Sequence, residues 1–143
     1  MVAVVPETLR RDARPPMSMD AAPASGTAAA PRPTARPRPL VAPLLFDRHA
    51  TGHRPDDPAV RRYWTAAIGP GAVADLLRLT AAARAGRRIR EPLHLAILAA
   101  EGLVERDGAV VLVRPLIPHL APRQLRNLRP VLRVEYRRLI ESE

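Results

Sequence analysis

Guanidinium groups are the chemistry this chain holds in surplus. All 23 of its basic residues are arginine, set against 14 acids for a net charge of +9. They are also clustered. Between Arg78 and Arg90 lie Arg78, Arg84, Arg87, Arg88 and Arg90 with no acid among them, and between Arg114 and Arg138 seven arginines face Glu135 alone. Clustered guanidinium groups grip phosphates through paired N–H donors and displace condensed counterions, which is the chemistry of attachment to a polyanion. The plain alternative is a solvated face in a chain whose basic residues are arginine by compositional bias.

Other reactive side chains are sparse. His49 and His53 stand four apart with Asp47 close by, a spacing that on a helix brings two imidazoles to one metal. Gly52 and Pro55 break a helix there and the ligand set is incomplete, so the stretch reads as a polar strap. No metal and no cofactor is expected. His94 sits among apolar residues and reads as a hydrogen-bonded core histidine; His119, between Pro118 and Leu120, reads as a loop residue. The carboxylate pairs are Asp56-Asp57, best used as a helix cap, and Glu105 with Asp107 in a turn. Serine occurs only at 18, 25 and 142. Neither a nucleophile elbow nor a phosphate-binding or dinucleotide glycine loop is present, and with no catalytic constellation an enzyme is not expected. With no cysteine, disulfides and thiolate metal sites are excluded. Four aromatic residues after the first forty positions, Phe46, Tyr63, Trp64 and Tyr136, are too few for a base-stacking platform.

The elements that must carry these residues are marked by proline and glycine. Eleven of the 17 prolines fall at or before Pro58. Residues 1–44, with Pro15-Pro16, an Ala/Ser/Gly stretch and the Pro-Arg alternation of Pro31 to Pro39, bury too little apolar surface to offset their backbone entropy and read as a disordered tail. Arg10-Arg11 is followed by no apolar core of a targeting signal. No apolar run approaches the ~18 residues of a membrane span. A cytoplasmic location follows as the expectation.

The domain is expected over 45–143. Asp57-Pro58 opens a first helix that runs to Ile68 and stops at Gly69. A second, over about 71–85, carries Val73, Leu76, Leu77 and Thr80 at helical spacing and ends at Gly86. Glu91-Pro92 starts a third, apolar nearly all round and ending at Gly102, which predicts a helix wrapped by its neighbours. Two β-favouring runs joined by Asp107-Gly108 predict a hairpin. A last helix opens at Ala121-Pro122 and runs toward Ile140 with a bend at Pro130. It sets Leu125, Leu128, Leu132 and Leu139 on one stripe and Arg123, Arg126, Arg129, Arg133 and Arg137 on the next.

The stretch Leu95 to Arg114, with Leu98-Ala99-Ala100-Glu101-Gly102-Leu103-Val104-Glu105-Arg106-Asp107-Gly108, resembles the recognition-helix end and wing of bacterial winged helix-turn-helix regulators over about 20 residues. That resemblance implies a mainly α, small winged-helix-like domain: three helices, a hairpin and a C-terminal amphipathic helix. It also implies DNA as partner. The third helix offers only His94 and Glu101 toward base edges, so the expected contacts are to phosphates, from Arg84, Arg87, Arg88 and Arg90 and from Arg123, Arg126, Arg129, Arg133 and Arg137. The rival expectation is a protein-interaction or dimerisation module in which Leu125, Leu128, Leu132 and Leu139 pair with another chain, or with a second copy, and the proline-rich tail docks on aromatic grooves.

Overall fold

The computed structural model describes residues 36–46 and 51–143. The chain divides into two units, Met1–Pro37 and Arg38–Glu143, and every element below belongs to the second. The expected disorder of residues 1–35, and the Asp47 and His49 of the strap, lie outside the described residues.

The first element is a strand. β1, Leu40–Leu45, falls inside the stretch that composition assigns to the tail. Its Pro43 argues against a strand on sequence grounds, since proline cannot donate to a ladder. The pairing explains how it is accommodated. On one side β1 runs parallel to β4 (Val110–Val113), in the register Ala42↔Val110 to Leu45↔Val113. The Ala42 and Phe46 amides donate to Ala109 and Val113 at 2.8 Å each, so the even-numbered residues bond toward β4. The nitrogen of Pro43 therefore faces the other side, where β2 (Ile89–Arg90) pairs antiparallel with Leu40 and Val41 only. No ladder bond is lost there, and the proline ring is buried in the core.

The sheet order is β2-β1-β4-β3, with β3 (Val104–Asp107) antiparallel to β4. These four strands and the parallel β1/β4 pair overturn the mainly α winged-helix expectation: the fold is mixed α/β. The hairpin itself forms where its turn chemistry predicts, with Gly108 at φ +61° in the connection. It is one side of a larger sheet and not a free wing.

Between β1 and β4 the chain makes the crossover that parallel strands require. The Asp57 carboxylate accepts the Ala59 amide at 2.8 Å, the cap expected of it. The helix then opens with a π-helical turn, Val60–Trp64, runs into α1, Thr65–Ile68, and halts at Gly69, φ +96°. α2, Pro70–Ala85, has proline in its first turn and ends on Gly86 in the left-handed region, whose amide returns to Ala82 and Ala83. It packs on β1. The next helix departs from expectation. α3 is only Leu95–Ala100, with Leu95 and Leu98 buried, while Ile97 is 41% and the preceding Leu93 74% exposed. It lies on the surface. Six residues are under two turns, too short for the recognition helix that the resemblance implied.

The long C-terminal helix is also corrected. It is two helices, α4 (Pro122–Leu125) and α5 (Pro130–Glu141). Steric clash with the proline ring pushes the residue before it out of the helical region, and Arg129 is accordingly extended at φ −59°, ψ 147°. Pro130 starts a helix and does not bend one.

The core lies between α2 and the inner sheet face, where Val41, Val111 and Val113 meet Leu76 and Leu79 beside Trp64, Leu98, Leu103 and Ile117. The opposite sheet face leaves Leu40 and Leu44 at least half exposed. Tyr63 and Tyr136 meet edge to face at 5.0 Å, and the Tyr136 hydroxyl accepts the Leu120 amide at 2.7 Å. Among the described residues no helix is long and apolar enough to cross a membrane.

Candidate nucleic-acid interface

The expected arginines divide according to what the fold does with each. Arg84 stands in the last turn of α2, a position where a cation complements the helix dipole. The left-handed turn at Gly86 then brings Arg87 and Arg88 out in succession, the chain being held by the Arg87 amide on the Ala82 carbonyl at 3.0 Å. All three side chains are exposed, and none forms an ion pair among the described residues. Arg90, also exposed, reaches the Arg38 carbonyl at 3.4 Å. Arg78 is taken up by Asp75 at 3.2 Å.

The second set does not form one stripe, because the helix that would have aligned it is interrupted. Arg123, in α4, reaches the Ala100 carbonyl at 3.2 Å and the Glu101 carboxylate at 3.4 Å, tying α4 to the end of α3. Arg133 is half-buried and points back at α4. Its guanidinium donates to the carbonyls of Leu125 (3.1 Å), Leu128 (3.1 Å) and Arg126 (3.4 Å). The Leu125 and Arg126 carbonyls are orphan acceptors that a helix leaves at its C-terminus and the Leu128 carbonyl lies in the link that follows, so Arg133 is a cap. Arg126, Arg129 and Arg137 remain exposed and free of ion pairs among the described residues. The acids complete the division: Glu135 holds Arg62 at 2.7 Å, Glu91 holds Arg106 and Asp56 holds Arg54. The Glu135 hydrogen bond and charge raise the Arg62 pKa further. Six guanidinium groups of the nine expected are thus fully available, three around the end of α2 and three on α4–α5.

The leucines of the rival reading go inward. Leu128 is buried, and Leu125, Leu132 and Leu139 pack against the core. The apolar side chains that α5 exposes are Val131 and Val134.

One polar centre was missed in the sequence. Asp75, largely buried on α2, accepts the His94 backbone amide at 3.1 Å and meets His94 Nδ1 at 2.8 Å. Burial pushes its carboxyl up, but the two His94 hydrogen bonds and the charges of His94 and Arg78 outweigh that and leave it below the ordinary value. The pair fastens the start of α3 onto α2. His94 is half-buried and not a core residue, with its ring so close over Gly71 that a Cβ there would come within 2.5 Å. The signal available was a single acid between Val73 and Leu76 on an apolar helix face.

Compared with known protein families, curated proteins and solved structures, the chain matches none of them.

Proposed function

We propose that this is a non-catalytic DNA-binding protein, of the kind that coats or organises a duplex in the bacterial cytoplasm, using arginine–phosphate contacts and little base readout. The observation that carries this reading is the placing of Arg84, Arg87 and Arg88 around one tight helix end, exposed and with no acid to neutralise them among the described residues. Arg126, Arg129 and Arg137 add a second set. Phosphate contacts position a protein on DNA without specifying sequence, and the short, apolar α3 supplies no row of base-reading side chains. Fluorescence anisotropy with a labelled duplex at two salt concentrations tests it, comparing wild type with an Arg84→Ala/Arg87→Ala/Arg88→Ala variant. Weaker binding and a shallower salt dependence in the variant support the reading; equal binding by both proteins removes it.

A protein-partner reading draws support from a different surface than the leucine stripe, namely exposed Val131 and Val134 on α5. Light scattering across a concentration series separates the two, since a dimer on that face dissociates when Val131 and Val134 are both changed to Ser.

A further inference from the structure

Three distant parts of the chain converge on His53. Its backbone forms a two-bond bridge with Ile117, donating at 2.9 Å and accepting at 2.7 Å. Gly52 makes that approach possible. At φ +141° it passes so close that a Cβ would lie 2.1 Å from the Ile117 carbonyl oxygen. The segment after Ile117 is held in turn by the Trp64 indole N–H, which donates to the Pro118 carbonyl at 3.1 Å. The His119 backbone is thereby placed beside His53, with the two ring centroids 5.1 Å apart and the rings nearly perpendicular. The residues just beyond α5 deliver the third group: Glu143 Oε1 lies 3.7 Å from His53 Nδ1.

The His53 side chain is only 9% exposed, yet neither ring nitrogen makes a hydrogen bond among the described residues. Nε2 is fully buried without a partner. Nδ1 faces the carboxylates of Glu143 and of Asp57, the latter at 3.8 Å. Both distances are too long for a hydrogen bond. A buried imidazole nitrogen without a hydrogen bond is costly, and Nδ1, which faces two carboxylates with a second imidazole beside its ring, has the surroundings of a metal ligand.

We infer that His53, His119 and Glu143 form a site for a divalent transition-metal ion of the zinc type. Two imidazoles and one carboxylate are a ligand set that zinc favours when it keeps a further position for water. The donor atoms lie within 4.8 Å of one another, whereas two bonds of about 2.1 Å at the tetrahedral angle set donors roughly 3.4 Å apart. Closing that gap takes rotation of His119 and Glu143, which are both exposed and free to turn, about a buried His53 that is not. Charge also balances. Glu143 as ligand and Asp57 as a neighbouring carboxylate, held by its bond to the Ala59 amide, offset a doubly charged ion. The bound ion would fasten the segment before the first helix, the segment before α4 and the end of α5 to one point. The site is independent of the DNA reading, since none of its ligands is an arginine named above.

The test uses the full chain, stripped with chelator and titrated with Co2+ as a spectroscopic probe. The expected result is one Co2+ per chain, a visible ligand-field absorption of low-symmetry coordination, and displacement by Zn2+. His119→Ala and Glu143→Gln, both at exposed positions, each weaken Co2+ binding by about tenfold or more while circular dichroism is unchanged. Absence of stoichiometric Co2+ binding overturns the assignment, and so does binding that both variants retain at wild-type strength.

Discussion

Removing Arg84, Arg87 and Arg88 together changes the salt dependence of DNA binding by an amount the structure sets. Six of the nine expected guanidinium groups are exposed and free of acids among the described residues, while Arg123 and Arg133 are engaged by Glu101 and by backbone carbonyls and Arg90 by the Arg38 carbonyl. With six phosphates neutralised, the logarithm of affinity falls with the logarithm of salt at a slope of about −5.4, so a rise from about 50 to 200 mM costs roughly two-thousandfold in affinity. Halving the set leaves a slope of about −2.7 and a loss of roughly fortyfold over the same interval. Arg84 ends α2 and Arg87 and Arg88 follow it, none with a side-chain hydrogen bond or ion pair among the described residues, so the variant stays folded and loses at most the ~0.3–1 kcal/mol of the Arg84 charge at the helix C-terminus. The assay is anisotropy of a labelled duplex across a salt series, with circular dichroism on both proteins. An unchanged slope in a folded variant, or no wild-type binding at the lowest salt, refutes the reasoning.

Arg133→Ala behaves differently from its neighbours. It destabilises by about 1–2 kcal/mol in urea denaturation, because carbonyls at the end of α4 lose a charged donor that is partly screened by solvent, and it leaves the DNA salt slope in place. Asp75 has a folded pKa below its ordinary 3.8. Its contribution to stability is therefore fully present above that pH and is lost as pH falls through the lower folded value, so Asp75→Asn flattens the acid limb of a stability–pH curve. Burial raises the Tyr136 pKa above 10.0, so folding favours the neutral phenol and stability declines as pH rises past the ordinary value toward the folded one. Tyr136→Phe removes that alkaline decline and costs about 1 kcal/mol at neutral pH through the lost bond from the Leu120 amide, measured by thermal melts at several pH values.

Local punctuation was legible in the sequence wherever a single residue decides the backbone. Asp57 caps, Gly69 and Gly86 stop helices, and the residues around Gly108 turn the hairpin. What was not legible depends on partners far along the chain. β1 looks like more of the proline-rich tail because the fact that excuses Pro43, a neighbouring strand only two residues long, lies more than forty positions away. The C-terminal helix divides because Pro130 falls where its predecessor goes extended, and periodicity alone does not tell a kink from a restart. The arginine pattern was visible but its partition was not: Arg133 and Arg137 share a spacing, and only the end of α4 turns one into a cap. His53 was set beside His49 by spacing, whereas the fold sets it beside His119 and Glu143. Such convergence has no local signature.

The strand order has a consequence for the course of synthesis. β1 is the first element of this unit to leave the ribosome and one of the two inner strands of the sheet, while β4, its long partner, is made nearly seventy residues later. Until then it can pair only with two residues of β2, and Val41 and Pro43, which the finished core buries, lack the β4 side of their packing. Closure is thus an event of the late chain, and a polypeptide interrupted before Val110 holds helices with only the two-residue β1/β2 pair to lie on.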